Sequence, residues 1–211
     1  MILIGYLPKN IWLPRFMMND LVFYPGFARD KSDFRVSYDE DYFNKCLSYE
    51  DKEIALKINR GRIDFVDKFH RGIVLDIGIG SGEFIKKRGN AHGYDVNPKA
   101  VKWLKENNLY SDEFEDYRAF TFWDVLEHIE EPVDYFKRFP KGSYVFTSLP
   151  VFDDLKNIKQ SKHYRPGEHL WYWTEKGFID WMGEHGFRFL ERRLFEILAG
   201  REDIYSFAFL K

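Results

Sequence analysis

The sequence predicts an open α/β fold: a doubly wound, mostly parallel sheet with helices on both faces, closed by a C-terminal antiparallel hairpin. Three observations predict it. From residue 73 onward, short apolar runs alternate with helical patterns, the signature of parallel strands joined by crossover helices. A glycine turn, GIGSG, follows the first of those runs directly. The last two runs, FRFLERRLF and DIYSFAFL, are separated by an AGRED turn region that suits antiparallel pairing.

Taken in order, residues 1–37 scatter aromatics, Pro and Gly without a period and define no element. From Ser48 to about His70 an imperfect apolar stripe of Ile54, Leu56, Ile58, Ile63, Phe65 and Val66, interrupted at Gly61, predicts a helix. IVLDI (73–77) reads as a buried strand, residues 82–88 as a helix stopped at Gly89-Asn90, and AHGYDV (91–96) as a second strand. Asn97-Pro98 starts the next helix, with Asn as cap and Pro at the first helical position. AFTFW (119–123) and SYVFTSL (143–149) are strands flanking a helix over 131–139. Residues 150–173 form a polar-aromatic loop of the length that lids and binding loops have. Thr174 caps a last helix ending near Gly186. The division expected is residues 1–70 as an N-terminal extension or lid forming part of the substrate site, and 71–211 as the ligand-binding domain.

Composition narrows the function. Hydrophobic residues make up 45% of the chain, enough for a real core, and aromatics at 19% are many, part of them expected to fill the core and part free to line a pocket for a flat or apolar ligand. A formal net charge of −2 argues against a protein that lives on nucleic acid. One cysteine, Cys46, excludes an internal disulfide and a cysteine-rich zinc site. The first residues lack a basic stretch before their apolar part and are broken by Pro8 and Pro14. No run reaches the ~18 apolar residues of a membrane span. The expectation is a soluble cytoplasmic protein without membrane contact.

Gly78, Gly80 and Gly82 are spaced G-x-G-x-G, and Glu83 stands where the dinucleotide fingerprint has its last glycine. An acid at that helix start disfavours a pyrophosphate and favours a ligand with a cation. Asp76 adds a second acid below the turn, and Asp95 closes the second strand where an acid accepts from ribose hydroxyls. Carboxylates for a ribose and a cationic tail, without a phosphate cradle, match S-adenosylmethionine. VLDIGIGSG, GYDVN and FWDVLEHIEEP together resemble the class I S-adenosylmethionine-dependent methyltransferases over residues 70–210. The resemblance implies a Rossmann-like fold. It also implies a donor site of Asp76, Gly78, Gly80, Gly82, Asp95, Val96, Asn97, Trp123 and Asp124. One departure is that only LYSDEFEDYR is available for the family's third strand. That strand is expected to be short or absent, and whether Asp112, Glu113 or Asp116 faces adenine stays open.

Asp124, Glu127 and His128 follow the strand at 119–123. On a short helical turn they share one side, where a carboxylate beside an imidazole makes a competent base. The alternative is that the two acids cap free N–H groups. His128 and His169 are the candidate catalytic residues. D-x-x-E-H with a later H-x-x-W also resembles the metal-bearing arrangement of small-RNA 2′-O-methyltransferases and ubiquinone-pathway O-methyltransferases. That resemblance would make Asp124, Glu127, His128 and His169 ligands for Mg, Mn or Zn. Those families have Glu where this chain has the shorter Asp124, and the expectation is a site without metal. Trp171, Tyr172, Trp173 and Trp181 read as packing. The function expected is O- or N-methylation of a small molecule. The alternatives are a catalytically inactive binding subunit and a methyltransferase of RNA ribose or base, nucleic acid being the disfavoured partner because of the charge and the missing N-P-P-[YF] motif.

Overall fold

The computed structural model describes residues 16–18, 20–33, 35–37 and 53–211. Cys46 and the expected helix start at Ser48 lie outside the described residues. Strands β1 (Phe16–Met18), β2 (Leu21–Tyr24) and β3 (Phe27–Asp30) form an antiparallel meander. There follow α1 (Glu53–Asp67), β4 (Val74–Ile77), α2 (Glu83–Arg88), β5 (Ala91–Tyr94), α3 (Pro98–Glu106) and β6 (Ala119–Trp123). The chain continues through α4 (Pro132–Arg138), β7 (Tyr144–Pro150), β8 (Trp171–Trp173) and α5 (Glu175–Glu184). It ends with β9 (Arg188–Arg193), α6 (Phe195–Leu198) and β10 (Ile204–Leu210).

The main sheet has the order β5-β4-β6-β7-β10-β9. Its first four strands are parallel and β10 runs antiparallel to both neighbours. The doubly wound sheet with a terminal hairpin is therefore present. Alternation along each strand sorts the two faces. Val74, Ala119, Phe146 and Ala208 pack under Phe65 and Val66 of α1, Phe84 and Ile85 of α2, and Leu104 of α3. Leu75, Phe120, Phe122, Val145, Phe207 and Phe209 face Phe136 of α4 and Phe178, Trp181 and Met182 of α5. This second face absorbs much of the aromatic excess, with Phe120 and Phe139 stacked at 3.8 Å.

Local chemistry explains the boundaries. Asn97 Oδ1 accepts from the Lys99 N–H at 2.9 Å and Pro98 opens α3. Thr174 Oγ1 accepts from the Gly177 N–H at 3.1 Å at the start of α5. Helix α1 runs through Gly61 without a break, and the glycine has a packing reason: a Cβ there would lie 2.6 Å from the Phe195 ring. The family's third strand is missing. Residues 107–118 make one isolated bridge, Gly93 to Tyr110, and a 3₁₀ turn that buries Phe114.

Three features differ from the expectation. Residues 16–30, which showed no period, form strands, because strands of three or four residues are too short to display one. The 150–173 stretch is not one loop: it holds a 3₁₀ segment, Leu155–Gln160, and β8, which pairs with β3 to complete the sheet β1-β2-β3-β8. A one-turn helix, α6, fills the connection between the hairpin strands.

Candidate active site

The strand order reverses between β4 and β6, and beyond their carboxyl ends lies a cavity of about 770 Å³. A smaller one of about 120 Å³ adjoins it, sharing Asn59, Arg62, Gly78, Gly80, Ser81 and Trp123 as walls. A crevice at the switch point is where open α/β sheets bind ligands. Gly78, Gly80 and Gly82 all have positive φ, at 75°, 55° and 79°. At Gly78 a side chain is excluded twice over: the backbone is left-handed, and a Cβ would meet Val125 at 2.6 Å. The close approach brings the turn against the segment after β6. Gly82 does not line either cavity; it caps α2 and lies against the Trp103 ring.

Asp76 and Thr121 are registered neighbours across β4 and β6. The Thr121 hydroxyl donates to Asp76 Oδ1 at 2.5 Å. Asp76 is 1% exposed and lines the smaller cavity. Burial pushes its carboxyl up to about 7, against the Thr121 hydrogen bond and the Arg62 charge. Asp95 lines the main cavity. Its two oxygens accept from the Ile79 N–H at 2.9 Å and the Asn97 N–H at 2.8 Å. One acid thus ties the glycine turn to the start of α3. Burial raises Asp95 as well, opposed by those backbone donors. Val96 is 67% exposed and faces the cavity with Asn97. Asp112, Glu113 and Asp116 do not line it; Tyr135, Ile129 and Val125 do.

Trp123 lines both cavities, and Asp124 follows it in left-handed backbone, φ 59°. Two arginines engage Asp124. Arg201 binds both carboxylate oxygens, at 2.8 and 2.9 Å, and Arg62 of α1 binds Oδ2 at 2.9 Å. Both guanidiniums also reach Glu196, which is fully buried and accepts from the Ser148 hydroxyl at 2.6 Å. The arginines hold the Asp124 carboxyl far below the usual carboxylate range in spite of burial. Asp124 is therefore a structural anion here. This corrects the four-ligand arrangement of the resemblance, since two guanidiniums occupy the carboxylate that a metal would need.

Glu127, His128 and His169 do converge, with one potential ligand atom from each within 4.8 Å of the others. The Leu170 N–H donates to the Glu127 carbonyl at 2.7 Å, fastening the 161–170 segment to the turn after β6. Buried Asp30 of β3 holds the same segment by accepting from the Gly167 N–H at 2.8 Å. The His128 and His169 rings meet edge to face at 4.7 Å. His128 Nδ1 lies 2.8 Å from the Glu168 carbonyl, so Nδ1 carries the proton and Nε2 is the basic atom. Burial raises Glu127 well above the carboxylate range and lowers both histidines, His169 to about 3. Burial thus disfavours the charged form of all three groups. Glu127 Oε2 and His169 Nδ1 are buried without a hydrogen-bond partner among the described residues. A carboxylate oxygen and two imidazole nitrogens could hold a divalent cation. Without one, they offer acceptors to a hydroxyl or amine. Trp171, Tyr172, Trp173 and Trp181 are buried and off the cavity; among the described residues its aromatic walls are Trp123 and Tyr135.

Comparison with known proteins gives the family. The sequence profile of a methyltransferase domain matches residues 47–192. The chain belongs to that family. It is an S-adenosylmethionine-dependent methyltransferase. Among solved structures, the methyltransferase is similar to a SAM-dependent methyltransferase and possible histamine N-methyltransferase from Thermotoga maritima. That likeness has a TM-score of 0.56 and 12% identity, over 81% of this chain and 99% of that one. A SAM-dependent methyltransferase from Aquifex aeolicus matches at TM-score 0.54 and 13% identity, over 79% of this chain and 96% of the other. At such identities these establish the fold alone. A tRNA (guanine(37)-N(1))-methyltransferase from Aspergillus fumigatus is 29% identical over 113 residues, 48% of this chain and 22% of that protein. The methyltransferase thus spans about a fifth of that relative's length. None of the helices described is long and apolar enough to cross a membrane.

Sequence reasoning missed Asn59, Arg62, Glu196 and Arg201. They reach the methyltransferase's cavity or its floor from α1 and from the α6 region. They belong to no motif, and only the fold brings residues 62, 124, 196 and 201 together.

Proposed function

We propose that the main cavity seats S-adenosylmethionine against the glycine turn and a small-molecule hydroxyl or amine against His128 and His169. The observation that carries this reading is Asp95. It is bonded to the backbone of the turn and of α3, and it lines a cavity at the switch point. Its carboxylate keeps lone-pair capacity for a ribose hydroxyl beyond these backbone donors. Val96, Val125 and Ile129 offer apolar contact to the base, and Asp76 offers a carboxylate to the ammonium. When bound, the donor supplies a methyl group already activated on sulfonium. The chain's own task is to orient the acceptor, exclude water and take one proton. Orientation alone supplies roughly 7–11 kcal/mol. His128 Nε2 takes the acceptor's proton and His169 Nδ1 orients its hydroxyl or amine. Ile54, Ile58, Pro150 and Ile204 supply the apolar walls of an acceptor site. The 161–170 segment that carries His169 is positioned by β3, so the N-terminal part of the chain helps to shape that site.

Two readings differ from this one and have an observation behind them. The convergence of Glu127, His128 and His169, with two orphaned atoms, would suit a divalent cation holding the acceptor's oxygen. The partial likeness to a tRNA methyltransferase favours a nucleic-acid acceptor, against the net charge of −2. Incubating the protein and labelled donor with metabolite extract and with bulk tRNA separates the acceptor classes, and the small-molecule reading expects label in the former.

Replacing Asp95 with Ala removes two charge-assisted hydrogen bonds and is expected to weaken donor binding roughly hundredfold. Calorimetry giving equal affinities would take Asp95 out of the site. Asp76 predicts a pH dependence. In the empty protein it holds its proton up to about pH 7, so its contribution to stability falls as pH rises from the ordinary Asp pKa of ~4 towards that value. An ammonium beside it favours the ionised form. Donor affinity is therefore expected to be about tenfold weaker at pH 6 than at pH 8, with proton release on binding. The Asp76→Asn variant is expected to lose this dependence, and a wild-type affinity that is flat across that range would contradict the assignment.

A further inference from the structure

Among the described residues, three arginines line the main cavity: Arg62, Arg165 and Arg201. Arg62 and Arg201 are committed to Asp124 and Glu196. Arg165 is not. Its side chain makes one polar contact among the described residues, from Nη1 to Glu168 Oε1 at 3.2 Å, and is 49% exposed. That contact uses one of the five N–H donors of the guanidinium. A single ion pair so open to solvent binds weakly and yields to a better-placed anion.

The backbone fixes where this fork stands. Arg165-Pro166-Gly167-Glu168 is a β-turn with Pro166 and Gly167 at its corners, Gly167 at φ 78° and the Glu168 N–H donating to the Arg165 carbonyl at 3.1 Å. The His169 N–H donates to the same carbonyl at 2.8 Å, and the Glu168 carbonyl accepts from His128 Nδ1 at 2.8 Å. The turn is held from the N-terminal side. Its Gly167 N–H donates to Asp30 at 2.8 Å, and its Gly167 carbonyl accepts from the Val36 N–H at 3.0 Å. Arg165 thus keeps a set position relative to both histidines. Burial lowers the pKa of His128 and His169, and the Arg165 charge acts in the same direction at each, so the guanidinium stands within electrostatic reach of both rings.

We infer that Arg165 binds an anionic group of the methyl acceptor, a carboxylate or a phosphate carried on the same small molecule as the hydroxyl or amine that meets His128 and His169. The planar fork of a guanidinium suits either anion, and its charge strengthens each hydrogen bond. The donor carries a sulfonium, so a cationic acceptor would meet like charge in the crevice and an anionic acceptor the opposite charge. Ile54, Ile58, Pro150 and Ile204 then cover the apolar body of the molecule. This assignment rests on the small-molecule reading of the acceptor site and narrows it to acids.

Fractionation of a metabolite extract tests it. The extract is passed through an ultrafilter that removes protein and nucleic acid, then over an anion exchanger at neutral pH, and each fraction is incubated with the protein and labelled donor. Label is expected in the fraction that the exchanger retains. Phosphatase treatment of that fraction identifies the anion: labelling is lost for a phosphate and kept for a carboxylate. Arg165→Met is expected to raise the half-saturating amount of the retained fraction roughly 10- to 100-fold, the loss of a charge-assisted pair, and Arg165→Lys to recover part of it. Donor affinity by calorimetry is expected to stay unchanged in both variants, which reports an intact fold. Label confined to the unretained material, or an unchanged half-saturating amount in Arg165→Met, would overturn the inference and leave the small-molecule reading standing. Label in no fraction would overturn that reading, and this inference with it.

Discussion

Replacing His169 with Ala is expected to lower turnover roughly 10²-fold, the cost of letting the acceptor drift from its alignment beside His128. Donor affinity is expected to change less than threefold, because His169 groups with His128 and Glu127 rather than with the glycine turn or Asp95. His169 is 4% exposed, its Nδ1 has no partner, and burial lowers its pKa to about 3. A ring so hard to protonate works as a hydrogen-bond acceptor or ligand rather than as a proton store. Single-turnover kinetics beside donor calorimetry would separate the two effects. Equal losses in both would move His169 to the donor. The same assay decides between direct handling of the acceptor and a cation: wild-type turnover that survives chelator supports the former. Turnover lost to chelator and restored by Mn or Zn would assign Glu127, His128 and His169 to a metal.

Replacing Arg201 with Met is expected to destabilise the fold by about 3 kcal/mol. Removing one partner from a buried ion pair costs about 3–5 kcal/mol; the lower end applies because Arg201 is 31% exposed. Asp124 and Glu196 would then face each other with Arg62 as their shared counter-charge. For a chain of this size the melting temperature should fall by roughly 6–12 °C. The Asp124→Asn, Arg201→Met double variant should recover part of that loss, since one unpaired charge is gone. The Asp124 pKa is lowered in the folded state, so its contribution is full at neutral pH. It is lost only as pH falls below the ordinary carboxylate range. A double variant no more stable than Arg201→Met would show that the network is not a stabilising one.

The parts of the fold legible in the sequence are those whose chemistry is local. Asn97-Pro98 and Thr174 start helices because a side-chain oxygen reaches an N–H two or three residues on. Gly78 is obligatory because its own φ is positive. Asp95 follows directly from its place at the end of β5. What was not legible depends on distant partners. Strand β8 is hidden in an aromatic-rich loop because its partner, β3, lies some 140 residues earlier and only three residues pair. The ion pairs that hold Asp124, which lines the main cavity, were not legible because its arginines come from positions 62 and 201. Gly82 lies against the Trp103 ring, a packing contact that the sequence does not display. In each case the residue type was informative and the partner was not.

The most direct test of the central claim, that carboxylates at the switch point select a ribose and a cationic amino acid over a diphosphate, is a titration of the wild-type protein with S-adenosylmethionine and, separately, with NAD. One saturable site for the sulfonium ligand and no measurable heat with NAD is the predicted result. NAD binding at equal or greater strength, or no binding of S-adenosylmethionine at millimolar concentration, would contradict it.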